Sequence, residues 1–226
     1  LDELKFKNHF EEKKIINLSG KPFSGIVEFS TVENLEGYDK IDYRKGFDST
    51  LLTDTQRIPI TEDYTGINTY IAEVENVKPN VIDYIMPVTK PSDLNITEFG
   101  LENSYIFLKI EDGAIYINGI KMSLVDFADL GDSYNFGPKK NDNGTELKIL
   151  RSKVILKTHL RAALKVDFEG VWDVITAIIT LDKESTSLHF KFDWMNSQKN
   201  HLLNAVFELN QPIEEVFSED MNTLIK

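Results

Sequence analysis

The chain has 226 residues, 41% of them hydrophobic, which is enough apolar side chain for one large all-β domain or two small domains. Its 37 acidic and 25 basic residues leave a formal charge of −12, which repels nucleic-acid phosphates and anionic lipid, so we expect neither nucleic acid nor membrane as a partner. The absence of cysteine excludes disulfides and thiolate chemistry, and a cytoplasmic location is the expected one.

The opening segment has the pattern of a helix end. Leu1 and Leu4 are separated by charged residues, as along one face of an amphipathic helix. This pattern predicts that residues 1–14 end a helical region of a preceding domain. Because Leu1 stands in place of a methionine and no signal-like apolar stretch follows it, we expect the sequence to start inside a longer chain.

From residue 15 onward, short β-branched and aromatic runs alternate with Gly, Pro, Asn and Asp, which predicts strands. Ile26 to Val32 and Ile67 to Val74 are the first clear strands. The stretch from Glu33 to Asp63 is acidic and weakly patterned, so it predicts long connections with at most short strands.

A break in the pattern follows at Met86 to Asp93. Pro87 and Pro91 cannot donate to a strand ladder, and each biases its predecessor towards extended backbone, so the stretch predicts a linker. We therefore expect a small β subdomain over 15–90 and a larger β-sandwich over 91–226.

The larger unit starts with two turn signals. Ser104 to Ile110 and Ala114 to Ile117 flank Glu111-Asp112-Gly113, and Asn118-Gly119 follows directly. Such Asp-Gly and Asn-Gly pairs tolerate the positive φ angles of tight hairpins. The segment predicts a β-meander.

Strict alternation marks two later strands. From His159 to Phe168 the even positions are apolar and the odd positions mostly polar, which predicts one face in the core and one in solvent. The same alternation runs from Leu188 to Trp194, where the even positions are apolar and the odd positions polar. Several such strands with no helical pattern between them predict antiparallel sheets packed face to face.

Tests for common chemical motifs are negative. No glycine-rich stretch suits a phosphate loop, and no serine lies in a G-x-S-x-G turn. The histidines lack the spacing of about three to five residues that is typical of local zinc motifs. We expect His159 and His189 to be solvated or hydrogen-bonded on polar strand faces, and His201 to have a structural role in a polar turn. The four histidines are His9, His159, His189 and His201. We expect no catalytic and no metal-binding residue in this chain.

One segment, Asp126 to Pro138, combines acids, glycines, two aromatics and a proline in a predicted loop. Carboxylates and aromatic faces together suit a polar ligand such as a carbohydrate. The alternative is a sandwich corner in which Tyr134 and Phe136 fill the core. The residue pattern leaves both interpretations open.

A set of short motifs occurs in a fixed order along the chain. The strongest are Glu102 to Tyr105, Glu111 to Gly113 and Gly131 to Pro138; the others are Ile16-Asn17, Pro22 to Val27, Asn196, His201 to Leu203 and Phe207. In this order the motifs resemble bacterial α-mannosidases of glycoside hydrolase family 38. The likeness is strongest where a C-terminal β domain of that family begins, and weaker matches occur on both sides.

The resemblance implies an antiparallel, galactose mutarotase-like supersandwich that is incomplete at its C-terminus. It implies a parent glycosidase of mannose metabolism that hydrolyses the O-glycosyl bonds of α-mannosides, with zinc and an aspartate nucleophile on an N-terminal catalytic domain of the same chain. The present chain would then be inactive alone. The family's Gly-Asp-x-Tyr loop implies that Tyr134 contacts the sugar, with Asp132 and Asn135 as lesser substrate-binding candidates.

Two other functions stay open. An aldose 1-epimerase-like enzyme would use a histidine acid and a glutamate base, which requires His159, His189 or His201 to face a concave sheet near a glutamate. A stand-alone carbohydrate-binding module would bind sugars without catalysis.

Overall fold

The computed structural model describes residues 13–41, 68–85, 91–131, 136–170, 173–197, 199–212, 218–220 and 223–225. Within these ranges all named strands pair in an antiparallel manner and there is no helix, so the predicted all-β class is confirmed. Most of the predicted helical end, residues 1–12, lies outside the described residues, and Lys14 begins a strand.

The strands are numbered in chain order. Before the predicted linker they are β1 (Lys14–Ile16), β2 (Phe23–Thr31), β3 (Asp39–Ile41), β4 (Asn68–Val77) and β5 (Ile82–Tyr84). After it they are β6 (Asn95–Thr97), β7 (Gly100–Glu102), β8 (Phe107–Glu111), β9 (Ala114–Ile117), β10 (Ile120–Ala128), β11 (Thr145–Glu146), β12 (Lys148–Lys157), β13 (Arg161–Glu169), β14 (Val174–Asp182), β15 (Leu188–Asp193), β16 (His201–Glu208), β17 (Ser218–Asp220) and β18 (Thr223–Ile225).

Three sheets form the body of the described structure. The meander sheet has the order β11-β10-β9-β8-β7-β6, with β16 also paired to β10. The central sheet has the order β12-β13-β14-β15, and the N-terminal sheet has the order β2-β4-β3. Two small sheets, β1-β5 and β17-β18, complete the described strands.

Strands β2 and β4 match the two early predicted strands. Strand β3 is a short strand within the predicted connection from Glu33 to Asp63. Residues 42–63 of that connection lie outside the described part of the chain.

The two predicted hairpin turns are confirmed. Asp112 and Gly113 have φ angles of 50° and 77°, and Asn118 and Gly119 have 49° and 85°. Residues with short polar side chains, and glycine, tolerate this left-handed conformation. The Asn118 side chain also accepts a hydrogen bond from the Phe107 amide at 2.7 Å, which joins the second turn to the start of β8.

The main core lies between the meander sheet and the central sheet. Leu108, Ile115 and Met122 from the meander sheet pack in one cluster with Leu164 and Phe168 from β13. All five side chains are almost fully buried. This confirms the predicted face-to-face packing of antiparallel sheets.

The predicted solvent face of the strand from His159 to Phe168 is wrong at two positions. Ala163 and Asp167, both placed on the wet face, are 0% and 2% exposed. Ala163 is buried because Ile41 and Ile71 of the N-terminal sheet pack over it in a second core cluster. The alternation predicted the inward face correctly, but a further sheet covers part of the outward face.

Polar contacts also join the N-terminal sheet to the central sheet. The Asp39 carboxylate accepts a hydrogen bond from the Leu160 amide at 2.7 Å. The buried Lys183 ammonium lies 2.9 Å from the Glu73 carboxylate on β4. The segment predicted as a separate subdomain and the sandwich therefore share apolar and polar contacts.

Asp167 lies in a buried ionic cluster on the outward face of β13. Its carboxylate accepts hydrogen bonds from Arg151 Nε at 2.6 Å, Lys165 Nζ at 3.0 Å and Thr176 Oγ1 at 2.8 Å. Burial raises the pKa of Asp167, but the hydrogen bonds from Arg151, Thr176 and Lys165 outweigh it and hold this pKa below its usual range. The cluster links three neighbouring strands, β12, β13 and β14.

We expect Asp167→Ala to lower the free energy of unfolding by about 2 to 4 kcal/mol, because the hydrogen bonds that Lys165 and Thr176 donate to the buried carboxylate are lost while Arg151 stays half in solvent. Urea unfolding measures the loss. The matched control is Asp193→Ala, an exposed carboxylate on the same sheet, for which we expect a change within about 0.5 kcal/mol. A loss below about 1 kcal/mol for Asp167→Ala would contradict the role of the cluster.

The same variant has an expected pH dependence. Because the folded-state pKa of Asp167 is lowered, its stabilisation is complete above the unfolded-state value of about 3.9 and is lost as the pH falls through the folded-state pKa. The stability difference between the native chain and Asp167→Ala should therefore shrink below about pH 4. A difference that stays constant down to about pH 2 would show that the ionised carboxylate is not its source.

Candidate functional site

The three predicted substrate-binding residues, Asp132, Tyr134 and Asn135, lie outside the described residues. The structure does describe both ends of the loop that carries them. We name these ends the loop stems, which are residues 129–131 and 136–138. Residues 126–128, which the sequence placed in the loop, instead complete β10.

The two loop stems are held together at their base. Asp129 and Pro138 form an isolated antiparallel bridge, and the Leu130 amide donates to the Gly137 carbonyl at 2.7 Å. Asp129 Oδ1 accepts hydrogen bonds from the Gly131 and Gly137 amides, both at 2.8 Å. A Cβ on Gly137 would lie 2.6 Å from the Gly131 nitrogen, so this close approach requires glycine.

Phe136 does not fill the core. Its side chain is 46% exposed, and Leu130 on the other stem is exposed as well. The alternative interpretation of the loop as a core-filling corner is therefore wrong for Phe136, while Tyr134 lies outside the described residues. The stems lead away from the end of β10 and carry apolar side chains that face solvent.

The first loop stem is bonded to the turn before β16. The Asp129 amide donates to the Asn200 carbonyl at 2.8 Å. Close by, Asp126 Oδ1 lies 2.7 Å from His201 Nδ1, and His201 Nε2 lies 3.0 Å from Asn196 Oδ1. His201 thus has the structural role in the polar turn that the sequence predicted, and it also connects that turn to β10.

Both ring nitrogens of His201 are engaged. A protonated ring donates to the Asp126 carboxylate and to the Asn196 oxygen together. A neutral ring keeps the bond to Asp126, and the Asn196 amide can then turn its NH₂ group towards Nε2. The three side chains therefore stay connected in either charge state of the imidazole.

These side chains line a small cleft of about 30 Å³ that is open to solvent. That volume is far below the roughly 300 Å³ or more of a typical ligand pocket, so the cleft is too small to enclose a whole ligand. We define the Trp194 cleft by the residues that matter for its chemistry. They are Asp126, Asp173, Trp194, Met195, Asn196 and His201.

Trp194 departs from the sequence prediction. The alternation placed it with Leu188, Phe190 and Phe192 on the core face, but β15 ends at Asp193 and Trp194 is 44% exposed. The signal that could have indicated this is the polar turn starting two residues later, at Asn196. An aromatic residue at the point where alternation stops is free to leave the core.

The described residues do not fit a zinc ion. No group of three or more His, Asp or Glu side chains in the described ranges lies close enough to hold a metal, whereas zinc needs at least three protein ligands. Asp126 and His201 are only two, and each is bonded to the other.

No helix with the length and apolar character of a membrane span occurs in the described ranges.

Comparison with known proteins supports the fold. No family model matches the sequence, and no curated protein matches it either. The structure resembles a crystal structure of an α-mannosidase from Enterococcus faecalis V583, with a TM-score of 0.62 and 15% identity, covering 94% of this chain and 33% of that one. It equally resembles a protein in glycosyl hydrolase family 38 from Enterococcus faecalis, with a TM-score of 0.62, 15% identity, and coverage of 94% and 34%.

The chain has the fold of one part of these two proteins. It spans about a third of their length. The antiparallel β-sandwich that the sequence predicted is thus confirmed. At 15% identity the likeness concerns the fold alone.

We expect Asp129→Ala to loosen the loop stems while the sandwich stays folded. The Gly131 and Gly137 amides lose a charged acceptor worth about 1.5 kcal/mol, so their hydrogen exchange should accelerate roughly tenfold. Exchange measured by NMR tests this, with Asp193→Ala as the control. Unchanged protection at both glycines would exclude Asp129 as the residue that closes the loop.

Proposed function

We propose that this chain is the β-sandwich part of a family 38 α-mannosidase and contributes a wall of the sugar site and a packing surface. The observation that carries the proposal is the shared fold, which covers 94% of this chain at a TM-score of 0.62 in a structure described as an α-mannosidase. In the complete protein, a zinc-dependent catalytic domain of the same chain would hydrolyse the O-glycosyl bond of an α-mannoside.

The engagement of three of the described carboxylates supports a non-catalytic role. Retaining hydrolysis requires two carboxyl groups about 5 Å apart that can reach the substrate. Asp126 is bonded to His201, Asp129 to backbone amides of its own loop, and Asp167 to a buried ionic cluster. Each of these carboxylates has a structural partner, and the described residues offer no set of zinc ligands.

The loop stems support a role as a wall of the sugar site. Asp129 closes the base of the loop, and its amide is bonded to the turn at Asn200, so the segment between the stems starts and ends at fixed points. A side chain held on such a base loses less entropy when it contacts a ligand. In this proposal Tyr134 contacts and orients the mannoside, with Asp132 and Asn135 as secondary contacts.

An exposed apolar face on the sheet of β1 and β5 supports contact with another domain. Ile16 and Ile82 are direct cross-strand partners, and Lys14 faces Tyr84 with its ammonium 5.4 Å from the ring centroid. Ile16, Ile82 and Tyr84 are all exposed. Contiguous apolar side chains of this kind favour a packing surface for the catalytic domain over a stand-alone carbohydrate-binding module.

The proposed location is the cytoplasm, which a chain without cysteine permits.

The aldose 1-epimerase alternative has weaker support. The histidine that lies in a cleft, His201, faces an aspartate and is bonded at both ring nitrogens. A general acid needs a proton that it can pass to the substrate. An anomer-exchange assay with simple aldoses separates the two proposals, because the mannosidase proposal predicts no acceleration by this chain.

Activity measurements test the proposed function. With zinc and an aryl α-mannoside, we expect the isolated chain to show no turnover. In the complete protein, Tyr134→Ala should lower kcat/KM by roughly tenfold or more, because one orienting contact is lost. Phe99→Ala, an exposed aromatic at the turn between β6 and β7, is the matched control and should leave kcat/KM unchanged. Turnover by the isolated chain would refute the non-catalytic role, and unchanged kinetics of Tyr134→Ala would remove it from the site.

A further inference from the structure

The Trp194 cleft combines an exposed aromatic face with unused polar groups. Trp194 is half-exposed at the end of β15, and the neighbouring Met195 is exposed as well. Asp126 reaches the same cleft from β10, and Asn196 and His201 reach it from the turn before β16 and from the start of that strand. Two strands of the meander sheet and the end of the central sheet thus meet at this point.

Asp126 and Asn196 each keep hydrogen-bonding capacity that the fold does not use. Asp126 Oδ1 is bonded to His201, whereas its Oδ2 has no partner within the described ranges. Asn196 uses one polar group of its amide for His201 Nε2, and whichever way the amide is turned, the other group has no partner in the same part of the chain. His201 lies between the two side chains and fixes their separation.

This arrangement suits a neutral sugar. Adjacent sugar hydroxyls both donate and accept, so a free carboxylate oxygen and a free amide group at a fixed separation can bind a pair of them. An indole face packs against the C–H surface of a pyranose ring. Asp126 and Asp173 in the cleft, together with a formal chain charge of −12, disfavour anionic ligands.

We infer that the Trp194 cleft is a binding subsite for one neutral pyranose residue, held by Trp194, Asp126 and Asn196. The small volume of about 30 Å³ means that the sugar lies against the surface with one face covered. Contact on one face gives a dissociation constant on the order of 1 mM for a single sugar. The inference concerns binding by this chain alone and holds whether or not a larger protein hydrolyses mannosides.

The cleft and the loop stems are neighbours in the structure. Asp126 precedes Asp129 by three residues. Asn200, whose carbonyl accepts the hydrogen bond from the Asp129 amide, directly precedes His201. The Trp194 cleft and the first loop stem therefore share the turn before β16 as a common support. The subsite uses none of the three predicted substrate-binding residues, Asp132, Tyr134 and Asn135.

Ligand-observed saturation-transfer NMR with methyl α-mannopyranoside tests the inference on the full chain. We expect saturable binding by the native chain, at least tenfold weaker binding by Trp194→Ala, and about fivefold weaker binding by Asn196→Ala. Asn196 is exposed in a turn, so its replacement keeps the fold and serves as the second variant. Phe99→Ala, an exposed aromatic on the meander sheet, is the control and should bind as the native chain does.

Three results would overturn the inference. One is the absence of saturable binding of methyl α-mannopyranoside and of methyl α-glucopyranoside by the native chain. Another is binding that Trp194→Ala and Asn196→Ala leave unchanged. The third is equal binding of an anionic methyl glucuronide, which would contradict the selection for neutral sugars. None of these results bears on turnover by the complete protein, so the proposed function is tested separately.

Discussion

The structure depends on burial of the central sheet from two sides. The inward face of β13 contributes Leu164 and Phe168 to the main core, and its outward face contributes Ala163 to the core shared with the N-terminal sheet. A strand covered on both sides cannot carry unpaired charge, and Asp167 is accommodated because Arg151 and Lys165 neutralise it. The small sheets and the loops attach to this central layer.

The meander sheet positions the candidate site at one end of the sandwich. Strand β16 pairs with β10 from Lys121 to Ala128, which brings His201 beside Asp126 although 75 residues separate them. The same pairing places the turn at Asn200 where it can bind the first loop stem. The fixed ends of the predicted sugar-binding loop and the Trp194 cleft are thus consequences of one strand pairing.

Local sequence patterns predicted the elements well and the long-range packing less well. Asp112-Gly113 and Asn118-Gly119 determine their turns by backbone conformation, and the alternation up to Phe168 identified the inward face, because both signals act within a few residues. Burial of Ala163 depends on a sheet some ninety residues earlier, and the pair of Asp126 and His201 depends on strand order; neither leaves a local signal. Trp194 was misplaced because alternation does not indicate where a strand ends.

Native-state hydrogen exchange in increasing urea tests the shared core most directly. If the N-terminal and central sheets are one cooperative unit, amides of Ile71 on β4 and Leu164 on β13 should converge on the same free energy, that of global unfolding. Exchange at Ile71 through a separate opening of lower free energy, with Leu164 still protected, would show that the two sheets are independent and would contradict this account.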